Sequence, residues 1–469
     1  MNRLALLGVL AAASASAAPW PGEPVIQSVD LTPLAPGIAA GFGQQLSDLH
    51  WNPITRTLWV SRAPGGVWAL APTTDGGFEI AAKYSGINSD YEGITQADLR
   101  EAAVYVLDET AGFIRKFAVD GAGGASLLRA WNLAGVVGPL VGNAGPEGLT
   151  FVPDESLKAA GFPTSARDGG GLFFVGHQYG GQIYVVDLDP LGAASTLIAR
   201  LPTSRTETSA LAFDRSSGRL YVSHNIGGNF LEVDALAVQP DGGLGLRQLI
   251  EFDSPNRSNL EGFAVTPQYS EDGGAPSERW CFWADDDGNS VGRPGLMWFR
   301  QLPAVLGLSA GNGQVAPALT AVAIAPAVTL RDGFSNEYVG QRVSFAATGG
   351  GGLVRGGNAV TSAIGLGAVD SWILGAAGSQ QLTATASDFP AVPPVVFSAT
   401  AVFADAGSLE ADAGLPIPDG GDSIPDAGSM SDGGSEEPQL PARGCGCQTS
   451  VPGLGLFALV LLRRRAANC

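Results

Sequence analysis

The chain has 469 residues, 45% of them hydrophobic and 15% charged, with 66 Gly and 31 Pro. That hydrophobic fraction excludes wholesale disorder, the composition is not that of a polytopic membrane protein, and the turn-former content points to short strands in two or more domains. With 45 acids against 26 bases, three lysines and a net charge of −19, no basic stripe exists to neutralise phosphates, so no nucleic-acid partner is expected.

In chain order, the positive start Met1-Asn2-Arg3, the apolar run Leu4 to Ala13 and the small residues Ala15-Ser16-Ala17 read as a secretory signal peptide over 1–17. An internal repeat follows. Ser47-Asp48-Leu49, Glu92-Gly93-Ile94, Glu147-Gly148-Leu149, Ser209-Ala210-Leu211 and Glu261-Gly262-Phe263 align at intervals of 45, 55, 62 and 52 residues. Each leads through a turn into a second β-rich run, such as Val104 to Leu107, and most into a third, such as Phe113 to Val119. A unit of this size with several short strands is one propeller blade, which buries its faces only against its neighbours. Residues 24–302 are therefore expected to form a five-bladed β-propeller, with a six-bladed ring containing one degenerate blade as the competing arrangement. Pro24 to Leu31 is expected to supply the outer strand of the last blade, and Asp154 to Gly170 to be a surface loop.

Propeller geometry turns the repeat into a ring of side chains. Ser47, Glu92, Glu147, Ser209 and Glu261 share one register on the innermost strands, facing the central channel. Three carboxylates on one channel repel unless a cation neutralises them, and a hard ion such as Ca²⁺ takes six to eight oxygens. Glu92, Glu147 and Glu261 are thus candidate ligands, with Asn88, Asp90 and Asn259 close by in sequence. The alternative is that each Glu clamps backbone N–H groups of the next blade. A second ring ends the second strands: Arg62, Asp108, His177, His224 and Asp285, followed by Glu109, Gln178, Asn225 and Asp286. His177, His224 and Asp285 are candidates for acid–base work, and Arg62, Asp108, Glu109, Gln178, Asn225 and Asp286 for ligand contacts at a loop-built mouth. The alternative is that they hold turns. His50, inside an inner strand, is expected to be a satisfied structural histidine. Asp285-Asp286-Asp287-Gly288-Asn289 resembles a calcium loop but lacks the downstream Glu of an EF-hand. Cys281, between Trp280 and Phe282, reads as a small buried hydrophobe.

Alternating strands with turn signals over 315–403, including Val343-Ser344-Phe345, Trp372-Ile373-Leu374 and Val396 to Thr400, argue a β-sandwich with Phe345 and Trp372 in its core. Residues 404–443, rich in Asp, Gly, Pro and Ser, read as an acidic solvated linker. The tail 444–469 carries Cys445-Gly446-Cys447, an apolar run Val451 to Leu462 and Arg463-Arg464-Arg465. As a helix that run reaches about 18 Å, short of the ~30 Å hydrocarbon core.

Three resemblances attach to these motifs. Asp90-Tyr91-Glu92-Gly93-Ile94, Val104 to Glu109 and Pro146-Glu147-Gly148-Leu149 resemble the SdiA-regulated family of propellers and the related esterase-like, phytase-type propellers. That resemblance implies a calcium-binding propeller and does not settle a reaction. Asp332 to Asn336 and Trp372-Ile373-Leu374-Gly375 are similar to bacterial Ig-like domains of the invasin/intimin type, which implies a spacer or adhesive module. The tail resembles the MYXO-CTERM sorting signal, which implies export, processing near Cys445 or Cys447, and anchoring at the outer surface of a bacterial envelope, the only membrane association expected.

Three functions remain open from sequence. The first is a surface-anchored propeller that binds Ca²⁺ and an unidentified surface ligand or small molecule at its mouth. The second is a calcium-dependent hydrolase of phosphoesters, esters or lactones using His177 or His224. The third is a purely structural or adhesive protein.

Overall fold

The structure is a computed structural model. It describes residues 17–21, 34–43, 45–75, 77–138, 144–162, 170–254, 259–269, 279–286 and 304–403, and the backbone alone of 29–30 and 296–299. The linker, the sorting tail, residues 1–16 of the signal peptide and Asp287 to Asn289 lie outside the described residues.

A short strand β1 (Val29–Asp30) and helix α1 (Pro36–Ala39) precede the first blade, which is β2 (Leu46–Asn52), β3 (Thr57–Arg62), β4 (Val67–Pro72) and β5 (Phe78–Tyr84). The second is β6 (Tyr91–Thr95), β7 (Ala103–Asp108), β8 (Phe113–Val119) and β9 (Ala125–Asn132). The third is β10 (Pro146–Pro153), β11 (Gly171–His177), β12 (Gln182–Leu188) and β13 (Ser195–Pro202), with helix α2 (Asp154–Ala159) after β10. The fourth is β14 (Ala210–Asp214), β15 (Arg219–His224), β16 (Phe230–Val238) and β17 (Leu244–Asp253), and the fifth β18 (Leu260–Val265), β19 (Cys281–Asp285) and β20 (Leu296–Phe299). Within each blade the strands pair in sequence order.

Burial explains why these segments are strands. Strands β7, β10 and β11 are buried at every residue because a neighbouring blade covers each face, so their middles are apolar and polar residues fall near their ends or at the channel. Outer strands such as β13 alternate between covered and open positions, the period-2 pattern of a half-buried strand. Each of the five blade-to-blade interfaces has its own apolar cluster: Trp59 with Val104, Tyr105 with Phe173, Leu172 with Leu220, Tyr221 with Phe263, and Val60 with Phe282. Inner strand β18 packs on β2 as β2 packs on β6, so the ring closes with five blades.

Two expectations are corrected. Val29–Asp30 pairs parallel with Phe78–Glu79 of β5, so β1 extends the first blade instead of completing the last. Among the described residues the fifth and first blades are joined by side-chain packing and by Gln45 N donating to Asp286 O (3.1 Å). Residues 154–159 form a helix, with Asp154 and Glu155 in its first turn and Lys158 in its last, complementing the helix dipole. At the N-terminus, Ala18 donates to Glu251 O (2.8 Å) and accepts from Asp253 N (2.8 Å), and Trp20 packs edge-on against Trp283 and Phe334.

The second unit starts ten residues earlier than the sequence suggests. It comprises β21 (Val305–Ala310), β22 (Gln314–Pro317), β23 (Ala327–Arg331), β24 (Arg342–Gly349), β25 (Gly352–Arg355), β26 (Asn358–Val360), β27 (Leu366–Ala368), β28 (Ser371–Leu374), β29 (Gly378–Ala386) and β30 (Val395–Val402). Sheets β21-β23-β27 and β22-β30-β29-β24-β26 enclose a core containing Phe345, Trp372 and Phe397, with the pair β25-β28 completing it. Strand β21 was missed because its buried and open residues do not alternate cleanly.

This sandwich is locked to the propeller by a loop. Phe334 is buried in the cluster between the fourth and fifth blades, against Tyr221, Phe252 and Phe263. Beside it the fully buried Arg279 pairs with Asp332 and with Asp214 Oδ2 (2.5 Å), and donates to Tyr221 Oη (3.0 Å). Burial opposes the Arg279 charge, but Tyr221, Asp332 and Asp214 outweigh it and hold its pKa above the usual value. Asn336 Nδ2 also donates to Tyr221 Oη (2.9 Å), and Arg219 pairs with Glu337 (2.7 Å). Phe334 thus belongs to the propeller core although it lies in the sandwich sequence.

Candidate metal centre

The inner strands all enter the channel at one end, here called the mouth. In four blades the pairing register slips at the entry, between Leu46 and Leu49, Tyr91 and Gly93, Pro146 and Leu149, and Leu260 and Gly262. An irregularity of this kind re-aims one side chain, and the re-aimed positions are Ser47, Glu92, Glu147 and Glu261. After each of the three glutamates the next residue is Gly for a steric reason. A Cβ on Gly93 would lie 2.6 Å from Leu149 Cβ, one on Gly148 2.9 Å from Ala210 C, and one on Gly262 2.5 Å from Ser47 O. The Glu-Gly pairing of the repeat therefore combines an aimed carboxylate with close approach of the inner strands.

The three glutamates face one another. Burial first, then the charges of Glu261, Glu92, Glu109 and Glu207, push the Glu147 carboxyl well above the usual range. Glu261 is raised in the same direction by burial, Asp286, Glu92 and Glu207. Glu92 is pushed to about 7 by burial and by Asp90, Glu109 and Asp286, against a hydrogen bond from Ser47. Glu147 is 6% exposed, and among the described residues its buried Oε2 has no hydrogen-bond partner. Ligand oxygens of Asp90, Glu92 and Glu109 all lie within 4.8 Å of one another. Around them Asn259 Nδ2 donates to Glu261 Oε1 (2.8 Å) and Asp286 Oδ2 (3.3 Å), Asn225 Nδ2 to Asn259 Oδ1 (3.0 Å), and Thr110 Oγ1 to Asp90 Oδ2 (2.6 Å). Asn88 is exposed beside Gly65. An all-oxygen donor set of crowded carboxylates and amides fits a hard divalent cation.

The second ring divides by strand alternation. The strand-terminal members Asp108, His177, His224 and Asp285 are fully buried. Asp108 pairs with Arg115, accepts from Ser89 Oγ (2.7 Å) and from the turn amide of Ala111 (2.9 Å). His177 Nδ1 accepts from Tyr179 N (3.0 Å), which fixes the proton on Nε2. His224 Nδ1 meets the Glu207 carbonyl and its Nε2 meets Glu232 Oε2 (3.0 Å). Both histidines and Asp285 are closed off from solvent; the His177 bond holds a turn, and the His224 bonds tie the strand end to Glu207 and to Glu232 of β16. Arg62 lies half-buried against Gly41.

The following residues, Glu109, Gln178, Asn225 and Asp286, turn the other way, and the structure brings them to the mouth. Glu109 accepts from Gly145 N (2.8 Å), and burial and Asp90 raise its pKa. Gln178 hydrogen-bonds Glu207, a mouth carboxylate that the sequence analysis missed. Glu207 stands two residues before Ser209, as Asp90 stands before Glu92 and Asn259 before Glu261, so the repeat phase carried the signal.

Beyond the mouth the channel is closed by polar side chains that the backbone binds. Asp48 stands where the other repeats have Gly or Ala, and its carboxylate accepts from the amides of Leu49 (2.8 Å), Ile94 (3.1 Å), Leu149 and Phe263, in four of the five blades. Burial raises its pKa against those bonds. At the far end Arg215 of the fourth blade reaches across to the second, donating to Ala97 O (3.0 Å) and Gln96 O. His50 lies beside it, its pKa lowered to about 3 by burial and Arg215, and its Nε2 has no partner among the described residues. It is therefore not the satisfied structural histidine expected.

No family model matches the chain, and neither does any curated protein. Among solved structures it is similar to Sqt1 of Chaetomium thermophilum, at 16% identity and a TM-score of 0.29 over 52% of this chain and 57% of that one. A protein from Lactobacillus plantarum gives 15% and 0.30 over 54% and 74%. A protein from Bacteroides uniformis provisionally named 6-phosphogluconolactonase gives 13% and 0.30 over 60% and 66%. The chain thus spans just over half the length of the first of these, and likenesses at such scores bear on neither substrate nor reaction. Strand topology makes it a five-bladed propeller with an acidic mouth, joined to a β-sandwich.

Proposed function

We propose that this is an exported, surface-anchored protein whose propeller mouth binds a divalent cation, Ca²⁺ by its donor set, and through it a ligand. The observation that carries this reading is the crowding of buried Glu147 with half-buried Glu92 and Glu261, beside the Asp90, Glu92 and Glu109 oxygens that lie within 4.8 Å of one another, with a Glu147 oxygen left unpartnered. Buried like charges are destabilising unless protonated or neutralised, and a bound cation supplies the neutralising charge and a point of attachment for an oxygen-bearing ligand. Glu92, Glu147, Glu261 and Asp90 would hold it, with Glu109 and Asn259 beside them; Glu207 and Asp286 add negative potential. Binding is favoured over hydrolysis because His177, His224 and Asp285 are fully buried. Export and anchoring rest on the terminal sequence signals, and the spacer or adhesive role of the sandwich on its resemblance to Ig-like domains.

The test is the calcium content of the full chain after equilibration and gel filtration, in wild type and in Glu147→Gln/Glu261→Gln. Stoichiometric calcium in the first and none in the second is expected; equal content in both would refute the assignment. Calcium-dependent turnover of esters, lactones or phosphoesters that disappears in the double variant would establish the hydrolase instead.

A further inference from the structure

The far end of the channel opens into a cavity of about 410 Å³, lined by His50, Leu99, Phe213, Arg215, Pro267 and Tyr269 among others. Two adjoining hollows share Arg215 and Glu155 with it. The volume lies in the range of small-molecule sites, where apolar walls carry a few polar groups.

Arg215 is the unusual wall. Its guanidinium is fixed by two backbone carbonyls and by the Phe151 ring (5.3 Å), and burial lowers its pKa to about 10. Among the described residues no carboxylate lies within ion-pair distance of it. Asp214, next in sequence, is committed to Arg279, Ser216 and Ser217. Glu155, exposed on the rim, and Asp98 act on Arg215 only through space. A guanidinium has five N–H donors, and the two carbonyls leave others for the cavity. His50 also lines this space through its ring, while its Nε2 is buried away from it. The Tyr269 hydroxyl is occupied by Glu337 O (3.0 Å) and Val339 N (2.8 Å), so Tyr269 offers the cavity its ring.

We propose that this cavity binds a small carboxylic acid with an aromatic or short aliphatic body. The carboxylate sits on Arg215, supplying the missing counter-charge, and the body lies against Leu99, Phe213, Pro267 and Tyr269. Ion-paired hydrogen bonds to a planar guanidinium favour a carboxylate over its neutral amide. The site is at the opposite end of the channel from the metal centre and does not depend on a cation.

Isothermal titration of the full chain in excess chelator, with phenylacetate, benzoate and hexanoate as probes, tests this. Saturable binding of at least one acid is expected, weakened at least tenfold for the corresponding amide. In Leu99→Trp, which fills the cavity from a half-buried position, binding is lost with an unchanged melting temperature. Arg215→Gln weakens the acid but not the amide, and a variant that fails to fold leaves Leu99→Trp as the deciding case. No saturable binding of any of the three acids, equal binding of acid and amide, or binding that persists in a folded Leu99→Trp overturns the proposal.

Discussion

The two ends of the propeller channel hold buried charge in opposite ways. At the hub Asp48 is surrounded by amide groups from four blades, and below it Arg215 by carbonyls from a blade across the channel. At the mouth Glu92, Glu147 and Glu261 confront other carboxylates. Backbone dipoles pointed at a charge make it a structural fastener, whereas like charges gathered with few donors make a site that draws in protons or a cation. The difference separates residues that hold the ring together from residues that hold a ligand.

The largest test of that contrast is Asp48→Ala. It orphans amides of four inner strands, and each buried unsatisfied group costs roughly 1–3 kcal/mol, so denaturant unfolding should show a loss above about 4 kcal/mol. A loss below about 1 kcal/mol would remove the hub from the account. Arg279→Met comes next, leaving Asp214 and Asp332 uncompensated at the sandwich junction. Breaking a buried pair costs about 3–5 kcal/mol, and calorimetry should show one unfolding transition become two. A single, unshifted transition would mean that Phe334 alone locks the units.

The mouth responds to pH in the opposite sense from an ordinary salt-bridged carboxylate. Glu92 has a folded pKa of about 7 against 4.5 when unperturbed, so the folded state binds the extra proton between those values. Its stabilising contribution is complete below about 4.5 and is lost as pH rises through about 7. Metal-free protein should therefore lose stability over that window, Glu92→Gln should flatten the loss, and saturating Ca²⁺ should reverse it. A melting temperature independent of pH in chelator would contradict the raised carboxylates. The smallest effect belongs to Ser47→Ala, which removes the hydroxyl favouring ionised Glu92. NMR titration should place the Glu92 pKa above its wild-type value, with stability changed by about 1 kcal/mol or less.

Much of this was legible in the sequence. The Glu-Gly repeat located the inner strands, and Glu92, Glu147 and Glu261 stand at matching positions on them. The second ring was placed correctly in phase but not in direction. Asp108, His177, His224 and Asp285 point into the blades while Glu109, Gln178, Asn225 and Asp286 reach the mouth, and phase alone does not say which of two adjacent residues faces the channel. Asp48 broke the Gly/Ala pattern of its position, a signal readable only once the hub shows what that side chain meets.

By itself the sequence determined the blade repeat, the acidic ring and the sandwich core, because each is written as local periodicity: strand alternation, turn residues and a fixed interval. Only the tertiary structure decided that Glu207 joins the mouth, that Arg215 closes the far end beside an unpartnered His50, and that Phe334 completes a propeller interface. Those outcomes depend on contacts between residues far apart in the chain, and their geometry is set by how five blades close into a ring.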